Sequence, residues 1–160
     1  MSVVEDRLAQ LGLAVPAVTP PVAAYVPAVQ HGDLVFTSGQ LPMVDGALVA
    51  TGKVGAGAGL VTPEDAKQLA ATCALNAIAA VKALVGDLDQ VVRVVKVVGF
   101  VASDPAFTGQ PGVINGASEL LGQAFGDAYL NLAGNSVGKF LLGDVALEFY
   151  ADNNVENYVQ

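Results

Sequence analysis

Residues Val91–Ala102 read VVRVVKVVGFVA, a run that is rich in β-branched residues and almost continuously apolar. A strand that is wetted on one side alternates apolar and polar residues, whereas a strand covered on both faces does not. We therefore predict a central, buried strand here. Such a strand requires a layered protein, with other elements packed against both faces of its sheet.

Three segments have helical signals. Ser2 and Glu5 have the spacing of a capping box, which predicts a short N-terminal helix that ends near Gly12. Thr62 is a favourable N-cap before Pro63, and a long helix follows it. Apolar residues at helical spacing support this helix up to Gly86: Ala66, Leu69, Ala70, Cys73, Ala77, Val81 and Leu84. The same spacing predicts another helix that ends at Gly126, with Ile114, Ala117, Leu121 and Ala124 on its apolar face.

Four short β-prone runs predict two hairpins, each closed by a turn that contains Asp and Gly. The runs are Leu34–Thr37, Ala47–Thr51, Ser136–Leu142 and Val145–Tyr150, with turns at Asp45-Gly46 and Gly143-Asp144. With the long strand and the two longer helices, the order becomes β-β-α-β-α-β-β. This order predicts an α+β fold in which two helices pack on one face of a single mixed sheet.

A length of 160 residues suits one domain with its own core. We assign residues 1–160 to that single domain. Residues 1–30 form an N-terminal helix and an arm that prolines hold extended, and residues 151–160 form a polar tail.

The composition contains more apolar residues than two helices and one sheet can bury. The chain is 53% hydrophobic, has a mean hydropathy of +0.54, and carries only 14% charged residues. Two helices cover one face of the sheet, and a large exposed apolar patch on the other face is rare in a soluble monomer. We therefore expect identical subunits to cover that face in a closed oligomer, with small-molecule pockets at the subunit boundaries.

Charge and cysteine content exclude several classes of partner. A formal net charge of −8 repels a phosphate backbone, so nucleic acid is not an expected partner. No uninterrupted apolar run reaches the ~18 residues of a membrane span, and Glu5 and Asp6 stand where a signal peptide carries basic residues. Cys73 is the single cysteine, which excludes an internal disulfide. We predict a cytoplasmic protein with no membrane partner.

Three features that resemble reactive sites have simpler interpretations. Gly55–Gly59 is rich in glycine but lacks the lysine and hydroxyl residue of a phosphate loop, so we interpret it as a flexible connector. His31 is the only histidine, and its place at a turn favours a solvated residue over a catalytic base. Cys73 lies on the apolar stripe of a helix, where cysteine packs as a small hydrophobe. A nucleophilic pair of Cys73 with His31 is an alternative, but no spacing in the sequence supports it. No metal or organic cofactor is expected.

The segment Leu34–Pro42, LVFTSGQLP, ends a strand in small polar residues instead of a common hairpin turn. With several other segments, it makes the chain resemble the RidA/YjgF family of small trimeric imine deaminases. The matching segments are Ala24–Pro27, Gly32–Pro42, Cys73–Ala77, Val94–Val101 and Val113–Glu119. The resemblance implies a chorismate-mutase-like homotrimer with a ligand cleft between subunits. It places Tyr25, Ser38, Gly39 and Asn115 in that cleft.

The resemblance weakens after the second long helix. Family members continue with a His-Ala-Arg-Ser-like segment, whose arginine holds the substrate carboxylate, and a Val-Glu-Val-Glu-like run, whose glutamate helps to position water. In this chain Gly134 stands where that arginine is expected, and Glu148 is the residue nearest to the glutamate. Lys139 is the closest positive charge, but it would point to the opposite face of the strand and lacks the planar fork of arginine.

Two functions remain open. In the first, the protein is a deaminase, a hydrolase of C=N bonds that acts on reactive enamines or imines at inter-subunit clefts; Glu148 is the acid/base group and Asn115 and Ser38 orient the ligand. Replacement of the arginine by Gly134 weakens this activity. In the second, the same trimer is a non-catalytic small-molecule binder or scaffold. Both functions require self-association and a small-molecule ligand.

Overall fold

The computed structural model describes residues 2–18, 25–126 and 128, together with the backbone of residues 145–151. Three helices, a short 3-10 helix and six strands lie in these segments. In chain order they are α1 (Val3–Gln10), β1 (Ala28–His31), β2 (Leu34–Thr37), β3 (Met43–Val44), β4 (Ala47–Leu48), α2 (Pro63–Val85), the 3-10 helix (Leu88–Gln90), β5 (Val94–Val101), α3 (Gln110–Phe125) and β6 (Val145–Ala151).

The main sheet is mixed, and its four described strands have the order β1-β2-β6-β5. Strands β1 and β2 are antiparallel, whereas β6 runs parallel to both β2 and β5. Helices α2 and α3 pack against each other; α2 also contacts β1, β2 and β6, and α3 contacts β5. The α+β class and the two-helix layer on the sheet are therefore confirmed.

The predicted first hairpin is wrong in its pairing. Strand β2 pairs with β1, which the sequence interpretation had included in the extended arm, and the turn between them contains Gly32 with a φ of 58°. The turn at Asp45-Gly46 exists, but it joins β3 to β4 in a separate two-stranded ribbon. Asp45 and Gly46 both have positive φ, 51° and 79°, which suits a tight two-residue turn.

The apolar run Val91–Ala102 forms a strand, but among the four described strands of the sheet it lies at one end of the order and not at its centre. Strand β5 begins only at Val94, and β6 is its single neighbour in the described sheet. Strand β6 takes the inner position instead, because both β2 and β5 pair with it. The other half of the predicted second hairpin, residues 136–142, lies outside the described residues.

The two faces of β5 differ. Val97 and Val101 pack against the core, and Gly99 faces Ile114 of α3. On the opposite face, Phe100 is exposed. The apolar character of this strand therefore arises from two surfaces, one under the helices and one turned away from them.

The helix boundaries follow the local sequence signals. Ser2 and Glu5 form the predicted capping box of α1. Thr62 Oγ1 accepts a hydrogen bond from the Asp65 N–H at 3.1 Å and caps α2, which ends at Gly86 with a φ of 79°. Helix α2 is long and apolar enough to cross a membrane by length and composition, but in this fold it is a core helix that packs against α3.

Helix α1 is fixed to the ends of the longer helices by polar contacts. The Val3 and Val4 N–H groups donate to the Asp89 carboxylate at 2.9 and 3.3 Å. Arg7 Nη1 donates to the Ala124 carbonyl at 3.3 Å, near the end of α3. The buried side chains of α1, Val4 and Leu8, join the same core as α2 and α3.

Glu5 forms an ion pair with Lys82 of α2. The side-chain hydrogen bond from Lys82, followed by the Ser2 N–H, lowers the pKa of Glu5 from its ordinary value of 4.5 to about 2. Because the pKa is lower in the folded state, the ionised carboxylate stabilises the fold above pH 4.5, and this stabilisation is lost as the pH falls towards 2.

We expect the Glu5→Gln variant to be less stable than the wild type above pH 4.5 and equally stable near pH 2. Urea denaturation followed by circular dichroism between these pH values measures the difference in the free energy of unfolding. Glu64→Gln removes an exposed carboxylate of α2 as a control. A Glu5→Gln effect that does not change with pH would contradict the assignment.

A second prediction concerns the contact between α2 and α3. Gly116 of α3 is buried, and a Cβ there would overlap the backbone carbonyl of Lys67 in α2. Because backbone cannot move aside as a side chain can, we expect Gly116→Ala to lower the free energy of unfolding by about 1–3 kcal/mol.

Gly112, one turn earlier in α3, is the matched control because nothing lies within 4 Å of a Cβ built there. Alanine favours the helix at such a site by up to about 1 kcal/mol, so Gly112→Ala should be neutral or stabilising. Urea denaturation at a fixed protein concentration compares the two variants. Equal effects would show that the helix contact is not tight at Gly116.

Candidate functional site

The polar end of β2 is tied to the segment that precedes β1. The Ser38 N–H donates to the Pro27 carbonyl at 2.9 Å, and Ser38 Oγ donates to the Val26 carbonyl. The Ser38 carbonyl accepts a hydrogen bond from Gln40 Nε2 at 3.1 Å. The hydroxyl at the end of β2 therefore ties this strand end to the segment before β1.

Tyr25 lies at the same edge of the sheet as Ser38. It directly precedes Val26, whose carbonyl accepts the Ser38 hydroxyl, and its side chain is 41% exposed. Gly39 follows Ser38 and is half-buried. The structure therefore brings together three of the predicted site residues, Tyr25, Ser38 and Gly39, at the end of β2.

Asn115 lies elsewhere in the chain. It is exposed on α3, and among the described elements α3 contacts α1, α2 and β5 but neither β1 nor β2. One chain therefore does not bring Asn115 to the Ser38 edge.

Two predicted residues belong to the C-terminal part of the chain. The backbone of Glu148 lies in β6, in register with Val98 of β5. On its other side, β6 pairs with β2 at Val35 and Phe36. Gly134, like Lys139, lies outside the described residues.

Asn76 is the residue that the sequence interpretation did not assign to the site. Its Nδ2 atom donates to the carbonyls of Leu41 at 2.9 Å and Met43 at 3.0 Å. The side chain belongs to α2 and is only 8% exposed. The available signal was an amide within an otherwise apolar helix segment, since a buried polar group requires hydrogen-bond partners.

Neither Cys73 nor His31 provides a nucleophilic centre. Cys73 is fully buried in α2, and burial raises the pKa of its thiol to about 12. The thiol therefore stays protonated at neutral pH, whereas the thiolate is the reactive form. His31 is exposed at the end of β1, rather than in the turn that was predicted to hold it. The structure thus supports the interpretation of Cys73 as a core residue.

The glycine-rich segment connects β4 to α2, as the sequence indicates. Gly57 and Gly59 have positive φ values of 141° and 79°. The first turn of α2 contains Glu64 and Asp65, which disfavour a bound phosphate at this helix end.

A nearby shallow depression has an aliphatic lining with no charged side chain: Pro42, Ala50, Gly52, Val54, Val61, Ala66 and Leu69. It has no group that could orient a polar substrate. No group of three or more His, Cys, Asp or Glu residues that could hold a metal occurs in the described part of the chain.

Comparison with protein families gives two matches. The family model described as "YjgF/chorismate mutase-like, putative endoribonuclease" matches residues 5–133. A model for a domain of unknown function, DUF956, matches residues 115–160 and therefore overlaps the end of the first. The two matches overlap at residues 115–133, and the sequence departs from the RidA/YjgF pattern after α3, in the later part of this overlap.

Similar proteins and structures cover most of the chain. Protein TCP17 of Trypanosoma cruzi is 41% identical over 124 residues, which are 78% of this chain and 76% of that protein. The crystal structure of a "putative endoribonuclease" from Shewanella oneidensis superposes with a TM-score of 0.72 at 26% identity, covering 92% of this chain and 88% of that chain. The structure of Atu1372 from Agrobacterium tumefaciens, a protein with unknown function, superposes with a TM-score of 0.69 at 36% identity. The match covers 96% of this chain and 84% of that chain.

Proposed function

The chain belongs to the RidA/YjgF family, whose model matches residues 5–133, and from this membership we propose that it is an enamine/imine deaminase. The substrate is a small, reactive intermediate with a C=N bond. The active site is a cleft between copies of the chain. The observation that carries the proposal is the parallel pairing of β2, which ends one residue before Ser38, with β6, which contains Glu148.

The pairing of β2 with β6 supports a common site for Ser38 and Glu148. Phe36 is in register with Ala146 where the two strands run parallel. The observed pairing ends there; if it continued by two residues, the same register would bring Ser38 to the level of Glu148. A carboxylate-bearing residue would then lie beside the Tyr25–Ser38 cluster.

The reaction needs only water and proton transfer. The water oxygen attacks the imine carbon, the C–N bond breaks, and one imine and one water give one carbonyl compound and one ammonia. Glu148 accepts a proton from the water and returns it to the departing nitrogen. Ser38 and Asn115 orient the ligand, and Tyr25 and Gly39 line the cleft.

The position of Asn115 explains why the site would require a second copy. Asn115 lies on α3, which does not contact the Ser38 edge within one chain. Family members are generally oligomeric. The sheet face turned away from the helices carries exposed apolar residues, Val29 at 47%, Phe36 at 42% and Phe100 at 41%. A homotrimer would cover this face and bring Asn115 of one copy towards Ser38 of another.

Gly134 favours a second candidate, a trimer that binds a small molecule without catalysis. An arginine at this position would hold a substrate carboxylate through charge-assisted hydrogen bonds worth ~1.5–3 kcal/mol each. Its absence reduces affinity for an anionic imino acid by one to several orders of magnitude, since ~1.4 kcal/mol corresponds to a tenfold change.

The endoribonuclease activity in the description of the family is a poorer fit for this chain. With a net charge of −8, the chain repels the phosphate backbone of RNA. Its single histidine is exposed on β1, and its single thiol is buried.

The first test of the proposal is the oligomeric state. Light scattering coupled to size exclusion should give three times the chain mass of 16.2 kDa. Phe36→Lys should shift the population towards monomer, because it places a charge in the buried interface. Gln123→Lys, at an exposed position of α3, is the control. A monomeric wild type at working concentration would remove the shared cleft.

The second test is catalytic. A dehydratase generates 2-aminoacrylate in the assay, and pyruvate release is followed with lactate dehydrogenase and NADH. We expect faster release with protein than with buffer. Asn115→Ala should lower kcat/KM by up to about tenfold, since a neutral hydrogen bond contributes ~0.5–1.5 kcal/mol. Gln123→Ala, another exposed amide of α3, should leave kcat/KM unchanged.

Gly134→Arg separates the two candidate functions. If only the carboxylate clamp is missing, this variant should hydrolyse 2-aminoacrylate faster than the wild type. Rates equal to buffer in both proteins would reject hydrolysis of 2-aminoacrylate, show that restoring the cation is not enough, and favour the binding trimer.

A further inference from the structure

We propose that Asn76 is a positioning residue that holds the ligand-facing loop, residues 38–43, in place against α2. This role rests on the proposed function, because it assigns a purpose to the loop that carries Ser38 and Gly39. Asn76 itself does not touch the substrate. It acts through the backbone of Leu41 and Met43.

The side-chain amide of Asn76 is suited to this contact. Its NH₂ group has two hydrogens, and Nδ2 lies 2.9 Å from the Leu41 carbonyl and 3.0 Å from the Met43 carbonyl. The Leu41 carbonyl also accepts the Met43 N–H at 2.8 Å. One buried group therefore closes a tight turn around Pro42, which has no N–H of its own to donate.

The opposite end of the loop is held by a different element. Ser38 bonds to the carbonyls of Val26 and Pro27 through its hydroxyl and its N–H. Ser38 and Gly39 therefore lie between two fixed points, one on the segment before β1 and one on α2. Only two residues, Gly39 and Gln40, separate Ser38 from the anchored Leu41, so a displacement of the Leu41–Met43 turn is passed to Ser38.

Apolar packing alone does not account for an amide at this position. Asn76 lies in a helix whose neighbouring buried residues are small and apolar, among them Cys73, Ala77 and Ala80. A leucine could fill similar space, but it would remove the donor to the Met43 carbonyl and leave the Leu41 carbonyl with the Met43 N–H alone. The amide therefore selects one loop conformation, as buried polar networks do when every member is satisfied.

Hydrogen exchange tests the anchor without any assay of activity. We compare the wild type with Asn76→Leu and Asn76→Asp, which both lack the NH₂ donor but differ in charge. Ile78→Val is the control for general loss of stability, since it shortens a buried side chain of the same helix. The reporters are the N–H groups of Ser38, Met43 and Val49, which are hydrogen-bonded in or beside the loop.

Both Asn76 variants should speed exchange at these three N–H groups by tenfold or more relative to the helix amides. Ile78→Val should change the loop no more than it changes α2. Loop exchange that rises only in parallel with the helices, in either Asn76 variant, would overturn the anchor. A change in Asn76→Asp alone would also overturn it, because the cause would then be the new charge.

Kinetics of 2-aminoacrylate hydrolysis test the consequence for the site. Asn76→Leu should lower kcat/KM about tenfold, whereas Ile78→Val should keep it within about twofold. An inactive wild type whose loop exchange responds to Asn76→Leu would reject the deaminase and keep Asn76 as the loop anchor. An active wild type whose kcat/KM is unchanged in Asn76→Leu would reject the positioning role and keep the deaminase.

Discussion

The close approach of α2 to α3 determines which face of the sheet the helices cover and which face stays exposed. Gly116 lets α3 lie against the Lys67 carbonyl of α2, and Lys67 Nζ adds an ion pair with Glu119 Oε1 at 2.9 Å on the surface. The contact at Gly116 depends on the absence of a side chain, so it fixes the helix pair more strictly than apolar area alone would. Both helices then pack on one face of the sheet. The other face keeps its exposed apolar side chains, and that asymmetry underlies the expectation of an oligomer.

The local signals in the sequence predicted the helices well and the strand pairing poorly. Ser2 with Glu5, Thr62 before Pro63, and Gly86 and Gly126 at the helix ends are signals that act within a few residues. Strand pairing depends on distant partners. The turn at Asp45-Gly46 was located correctly, but no local feature showed that β2 would pair with β1 and β6 rather than with β4. The apolar run that forms β5 likewise indicated burial on both faces. That pattern suits a central strand, but it also suits a strand at the end of the described sheet whose outer face is covered by another subunit.

The sequence predicted the candidate site residues that belong to a recognisable motif. It did not predict a residue that acts by binding backbone groups. Ser38 and Tyr25 stand in a recognisable pattern, and the structure places them at one edge of the sheet. Asn76 has no such pattern, because its partners are carbonyl groups that every residue carries. Only the burial of an amide in an apolar helix indicated its importance. The separation of Asn115 from Ser38 could not be read from the sequence either, since spacing along the chain does not show which helix faces which sheet edge.

The division of the site between elements also bears on the altered C-terminal part of the chain. The described features that shape the Ser38 loop, namely the Val26–Pro27 segment and Asn76, all lie within residues 5–133, the range of the family match. Two further positions lie after the end of this range. Gly134 is where an arginine would bind the substrate carboxylate, and Glu148 is the residue proposed to transfer the proton. The hydrogen bonds that hold the Ser38 loop therefore come from a different part of the chain than Gly134 and Glu148. A cleft that keeps its shape and lacks its cation would favour neutral ligands over anionic ones, since desolvating a carboxylate without a partner is costly.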